Sequence, residues 1–109
     1  MKTRLRGARP APSILPQPMP IEVQKHPPES LLAQLKVRSW PIWEKEVSKF
    51  PWTYGESETC FLLAGEVVVT PDGGGAAVSF GAGDLVVFPA GLSCTWDIRQ
   101  AVRKHYRFG

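Results

Sequence analysis

This 109-residue chain is poor in the residue types that staple a fold or hold a metal: it has two cysteines, Cys60 and Cys94, and two histidines. Two cysteines so far apart in sequence do not make a disulfide framework. A Cys60–Cys94 bridge is not expected either, because disulfide geometry is strict. A reducing compartment, the cytoplasm by default, is the expected setting. No apolar run approaches the roughly 20 residues that cross a bilayer as a helix. The start of the chain lacks the apolar stretch of a secretory leader, so neither a membrane segment nor export is expected. Acidic residues are missing from the first 20 positions, which carry Lys2, Arg4, Arg6, Arg9 and five prolines. The remaining residues hold nine Lys/Arg against ten Asp/Glu. The basic pI therefore belongs to the arm, and the near-neutral remainder offers no face for nucleic acid.

The same contrast divides the chain. Residues 1–20 cannot build a packed core and read as a basic, Pro-rich flexible arm. A basic, acid-poor arm also suits a transit segment for a plastid or mitochondrion, the alternative to the cytoplasm. Residues 21–109 read as one domain. Ile21–Lys25 alternates like a strand, and Pro27–Leu35 reads as one short helix with Pro and Glu at its start. Glu44–Phe50 fits helix or strand.

From residue 52 onward the pattern is β. Thr59–Leu63, Glu66–Thr70, Ala76–Phe80, Leu85–Phe88, Ser93–Ile98 and Val102–Phe108 are short and rich in β-formers. Turns at Pro71–Gly75, Gly81–Asp84 and Pro89–Gly91 separate several of them. Such spacing predicts an all-β antiparallel sandwich or barrel. In Thr59–Leu63 and Leu85–Phe88 both faces are apolar, so each strand needs cover outside the barrel as well. The N-terminal segment with its tryptophans, or a second subunit, supplies that cover; a homodimer is the favoured expectation for so small a chain.

The pattern Glu58-x6-Gly65 followed by Gly83-Asp84-x4-Pro89-x-Gly91-x2-Cys94 resembles the two motifs of the cupins. The flanking Trp40–Glu46, Phe50–Trp52, Glu58–Cys60, Phe88–Leu92, Cys94–Trp96 and Val102–Tyr106 make it similar to the small single-domain cupins related to (S)-ureidoglycine aminohydrolase. The resemblance spans about residues 21–108. It implies a jelly-roll barrel (a double-stranded β-helix), usually dimeric, with a small-molecule pocket. It also implies a metal, manganese in ureidoglycine-processing relatives, at four positions occupied here by Trp52, Tyr54, Glu58 and Cys94. Indole nitrogen only donates hydrogen bonds, and a protonated phenol ligates poorly. Glu58 and Cys94 alone make a weak, mixed hard–soft pair, so no metal cofactor is expected.

With Glu58 facing inward, alternation puts Cys60 on the same face, and Cys94 and Trp96 on the inner face of a later strand. Trp52, Tyr54, Glu58, Cys60, Cys94 and Trp96 are then expected around the pocket. In the last strand, Val102, Lys104, Tyr106 and Phe108 share one face and Arg103, His105 and Arg107 the other. The cationic face reads as solvated, with His105 on the surface. Lys104 is an amine on an apolar face and needs a partner, for which Glu58 is the obvious carboxylate. A Glu58–Lys104 pair in place of a metal's charge is the expectation. Trp40 and Trp43 are expected to pack over the outer sheet, and Asp84 to anchor a turn.

Two functions follow. One is a hydrolase- or lyase-like enzyme acting on a small polar or amide-type metabolite. In it Glu58 is general acid/base, Tyr54, Cys94 and Lys104 are candidate assistants, and Trp52, Cys60, Trp96 and Tyr106 contact the substrate. The other is a non-catalytic binding or regulatory module on the same barrel.

Overall fold

The computed structural model describes residues 20–109, so apart from Pro20 the basic arm lies outside the described residues. Seven strands form one antiparallel sheet that folds over on itself as a jelly-roll barrel. They are β1 (Glu22–Gln24), β2 (Ile42–Lys45), β3 (Ser48–Thr53), β4 (Glu58–Pro71), β5 (Val78–Gly81), β6 (Leu85–Phe88) and β7 (Ser93–Phe108). Among the described residues one α-helix, α1 (Glu29–Leu35), lies between β1 and β2, followed by a 3-10 turn at Val37–Ser39. Among the described residues no helix is long and apolar enough to cross a membrane.

Two long strands organise everything else. β4 has 14 residues and β7 has 16, and they pair along their length from Glu58↔Phe108 to Pro71↔Cys94. Their first and second halves take different outer neighbours. The N-terminal part of β4 pairs with β6, which carries β1, and its C-terminal part pairs with β5. β7 receives β3 along Ser93–Ile98 and β2 along Val102–His105.

Four of the short strands expected from sequence are thus halves of β4 and β7. The breaks expected near Gly65 and Gln100 are bends, with register shifts between Leu62 and Val67 that let a strand turn without leaving its partner. Gly65 makes the bend possible: it has φ +117°, and a Cβ there would lie 2.9 Å from Ala101 O and Val102 Cα. Glu44–Phe50, open between helix and strand, is the end of β2, a bend and the start of β3.

The core inside the barrel comes from the inward faces: Cys60, Leu62, Val67 and Val69 from β4, Phe80 from β5, Val86 and Phe88 from β6, and Cys94, Trp96, Ile98 and Val102 from β7. A second cluster lies outside. Leu32 of α1, Val37 and Trp40 cover Phe61 and Leu85. The same chain thus supplies the cover for Phe61 and Leu85, while Leu63 on that outer face stays exposed. Seven helical residues would not hold together alone in water. α1 is kept by that packing and by the capping residue that follows it, Lys36, whose left-handed conformation (φ 58°) lets its N–H reach back to the helix carbonyls.

His105 departs from expectation. It is on the outer face as alternation requires, but it is buried, with Nδ1 2.9 Å from the Trp40 carbonyl oxygen. The loop before β2 has closed over a position that a lone strand would leave wet.

Candidate functional site

Near the open side of the barrel a cavity of about 240 Å³ is walled by aromatic side chains: Trp43 from β2, Phe50 and Trp52 from β3, Tyr54 just after it, and Trp96, Tyr106 and Phe108 from β7. Glu58 and Lys104 are the two charged groups in the wall. Strand register explains the convergence. Trp43 stands opposite Lys104, Phe50 opposite Trp96, and Glu58 opposite both Phe88 and Phe108. Directly opposed residues share a face.

Lys104 Nζ donates to Glu58 Oε2 at 2.8 Å, and both side chains are about 5% exposed. The ammonium also lies 4.9 Å from the Trp43 ring centre and 4.7 Å from that of Trp96. It is therefore held by one carboxylate and two indole faces, a combination that offsets part of the cost of burying it. Among the described residues no hydrogen bond engages Glu58 Oε1.

Tyr54 is the third polar group. Its ring stacks on Phe88 with centroids 4.9 Å apart, and its hydroxyl accepts a hydrogen bond from Trp96 Nε1 at 3.1 Å. Burial pushes the phenol far above its ordinary range, and the nearby Glu58 charge adds to this. Tyr54 is thus a neutral donor whose own proton has no acceptor among the described residues. Trp52 is half exposed and forms the rim, edge-on to Tyr54.

The two cysteines are not in the wall. Cys60 and Cys94, both expected around the pocket, are fully buried behind it. Cys94 Sγ reaches the Trp52 carbonyl oxygen at 3.6 Å. Burial pushes the Cys60 thiol up to about 12 and the Cys94 thiol up to about 11. Both stay protonated near neutrality, and protonated thiols are poor nucleophiles. Alternation gave their face correctly but not their depth. Both are unbridged.

Trp43 was expected over the outer sheet and instead lines the cavity; only Trp40 packs outside. Its signal was available in the β2 alternation, had β2 been recognised as a strand paired to Lys104. Asp84 anchors its turn: its carboxylate accepts from Gly81 N–H at 2.8 Å and from Lys25 Nζ at 3.0 Å.

The positions at which the resemblance implies a divalent metal do not form a donor set for one. Trp52 offers no lone pair, Tyr54 is held as a neutral phenol, Glu58 is engaged by Lys104, and Cys94 is protonated and turned to a backbone carbonyl. Among the described residues no three His, Cys, Asp or Glu side chains stand close enough to share an ion. The Lys104 ammonium brings a positive charge to Glu58, one of those four positions.

A jelly roll with a cavity of this kind in its wall fits the cupin class. More narrowly, a family model for the EutQ-like cupin domain matches residues 32–106, and the chain belongs to that family. Among solved structures it is similar to a DUF861 family protein from Thermotoga maritima, with 44% identity over 83% of this chain and 100% of that one, and a TM-score of 0.79. It is also similar to an ethanolamine utilization protein Q (EutQ) from Salmonella typhimurium, with 28% identity over 62% of this chain and 53% of that one, and a TM-score of 0.55. The chain thus spans about half the length of that EutQ protein. No curated protein matches it.

Proposed function

We propose that this cupin binds a small polar metabolite carrying an amide or ureido group, held against the Glu58–Lys104 pair. One observation carries the reading. A carboxylate and an ammonium 2.8 Å apart, each about 5% exposed, stand together in the wall of an otherwise aromatic cavity. An apolar pocket with a few convergent polar groups is the usual form of a small-molecule site. An amide presents an N–H donor beside a C=O acceptor, which complements Glu58 Oε1 beside the Lys104 ammonium. The EutQ relative is named for ethanolamine utilization. Ethanolamine is itself a cation, and Lys104 already fills the place a cation would take, so it is not the ligand proposed for this chain.

Binding alone fits a regulatory module. The catalytic form of the reading is a hydrolysis or elimination of the kind expected for a relative of (S)-ureidoglycine aminohydrolase, and the unengaged Glu58 Oε1 favours it. There Glu58 moves the proton as general acid/base, and Lys104 and Tyr54 donate to the carbonyl oxygen as charge builds on it. Cys94 has no part in it, because its thiol is protonated and lies outside the cavity wall.

The test is a thermal-shift screen of small amides, ureas, acids and amines, followed by calorimetry on those that stabilise. Selected amides or ureas are expected to raise Tm by several degrees, since a ligand at 100 Kd adds about 2.7 kcal/mol. The shift should vanish in folded Glu58→Gln and Lys104→Met. A screen in which no amide or urea stabilises the protein would sink the reading. Turnover of a bound amide, lost in Glu58→Gln, would separate enzyme from binder.

A further inference from the structure

From the charge balance and the make-up of the wall we infer that the ligand is a neutral, planar aromatic carboxamide or lactam; this rests on the amide reading above and narrows it. Seven of the nine side chains lining the cavity are aromatic. Aromatic walls favour a flat π-faced ligand, through stacked and edge-on contacts that a puckered ring of equal size cannot match.

Charge decides the polar end. The wall holds one carboxylate and one ammonium, already paired at 2.8 Å and withdrawn from water. A ligand carboxylate would meet Lys104 but lie against Glu58. A ligand ammonium would meet Glu58 but lie against Lys104 and compete for the two indole faces that Lys104 occupies. Either leaves a like-charge contact in a poorly solvated place, which costs more than the matching contact returns. A neutral group with adjacent donor and acceptor has no such conflict.

The hydrogen-bonding groups that the protein leaves open agree. Glu58 Oε1 is an acceptor without a donor, and the Tyr54 hydroxyl proton a donor without an acceptor, among the described residues. Both residues are buried in the cavity wall. Buried polar groups are almost always satisfied. One amide N–H and one carbonyl oxygen supply what both lack, with the Lys104 ammonium as second donor to that oxygen.

Four probes of similar size separate the components: benzamide, cyclohexanecarboxamide, benzoate and benzylamine, each titrated calorimetrically into the wild-type protein. Quenching of tryptophan fluorescence places them, because Trp43, Trp52 and Trp96 are in the wall. Benzamide is expected to bind at least about tenfold more tightly than benzoate or benzylamine, as for an uncompensated charge, and several-fold more tightly than cyclohexanecarboxamide. Equal or tighter binding of either charged probe overturns the charge argument. Equal binding of the saturated amide overturns the aromatic one. Failure of both amides strikes the amide reading itself. The charge argument has a second test in folded variants. Glu58→Gln leaves a net positive wall and should gain affinity for benzoate by about tenfold, and Lys104→Met should do the same for benzylamine. If neither preference moves, the pair does not set ligand charge.

Discussion

Lys104 Nζ and Glu58 Oε2 meet at 2.8 Å across 46 positions of sequence, at the point where β7 runs beside the start of β4. Burying two charges is costly, and leaving one behind alone costs more. Glu58→Gln and Lys104→Met should each destabilise the protein by about 3–5 kcal/mol in urea denaturation. The double variant should lose clearly less than the sum. Simple additivity would mean that the two groups are solvated independently.

Asp84 should give the fold an acid limit. Burial alone pushes its carboxyl up, but the Gly81 and His26 N–H groups and Lys25 outweigh it and hold it below its ordinary value. Its contribution is present above the unfolded pKa of about 3.9 and fades as pH falls through the lower folded value. Asp84→Asn should lose roughly 1.5–3 kcal/mol at neutral pH. The variant's stability should also change less than wild type between pH 5 and 2, measured by urea midpoints at each pH.

The cysteines should set the opposite limit. Both thiols have raised folded values, about 12 and about 11. Their contribution is complete below the unfolded value of about 8.5 and is lost as pH rises toward the folded ones. Neither should react with a thiol reagent in the native protein at pH 7.5, and both should react in urea. Rapid native labelling of Cys94 would show that it opens to solvent and would restore it as a candidate nucleophile.

Gly65→Ala should be among the costlier small substitutions. A Cβ there meets the backbone of Ala101 and Val102 at 2.9 Å, and the φ of +117° is foreign to L side chains. Strain of this kind costs about 1–3 kcal/mol, readable as a lower Tm. Gly73→Ala at the β4–β5 turn has a positive φ without any contact, and isolates the conformational part.

How far the sequence could be read follows a physical boundary. Alternation assigns faces, so Lys104 with Tyr106 and Phe108, and Glu58 with Cys60, were legible before any coordinates. The Glu58–Lys104 pair was legible as well, because an amine on an apolar face demands a partner. Depth and cover were not. Cys60 and Cys94 face inward but lie behind the cavity wall. His105 faces outward but is buried, because Trp40 from a segment 65 positions earlier lies on it. Trp43 was misplaced because β2 has only four residues, too few for alternation to stand out. Gly65 was legible as a break and not as a bend, since a turn and a bulge ask the same freedom of glycine.

β7 hydrogen-bonds to β2, β3 and β4, and all three precede it in sequence. Each of these pairings must close a long loop before it gains anything, which makes folding slow relative to a helical chain of the same length. β4 can pair with β5 and β6 beforehand, but β2 and β3, which carry Trp43, Phe50 and Trp52 of the cavity wall, have no partner until β7 docks. Folding and the appearance of ligand-binding competence should therefore share one rate constant: in a refolding experiment, the capacity to bind should rise on the same exponential as the native tryptophan signal.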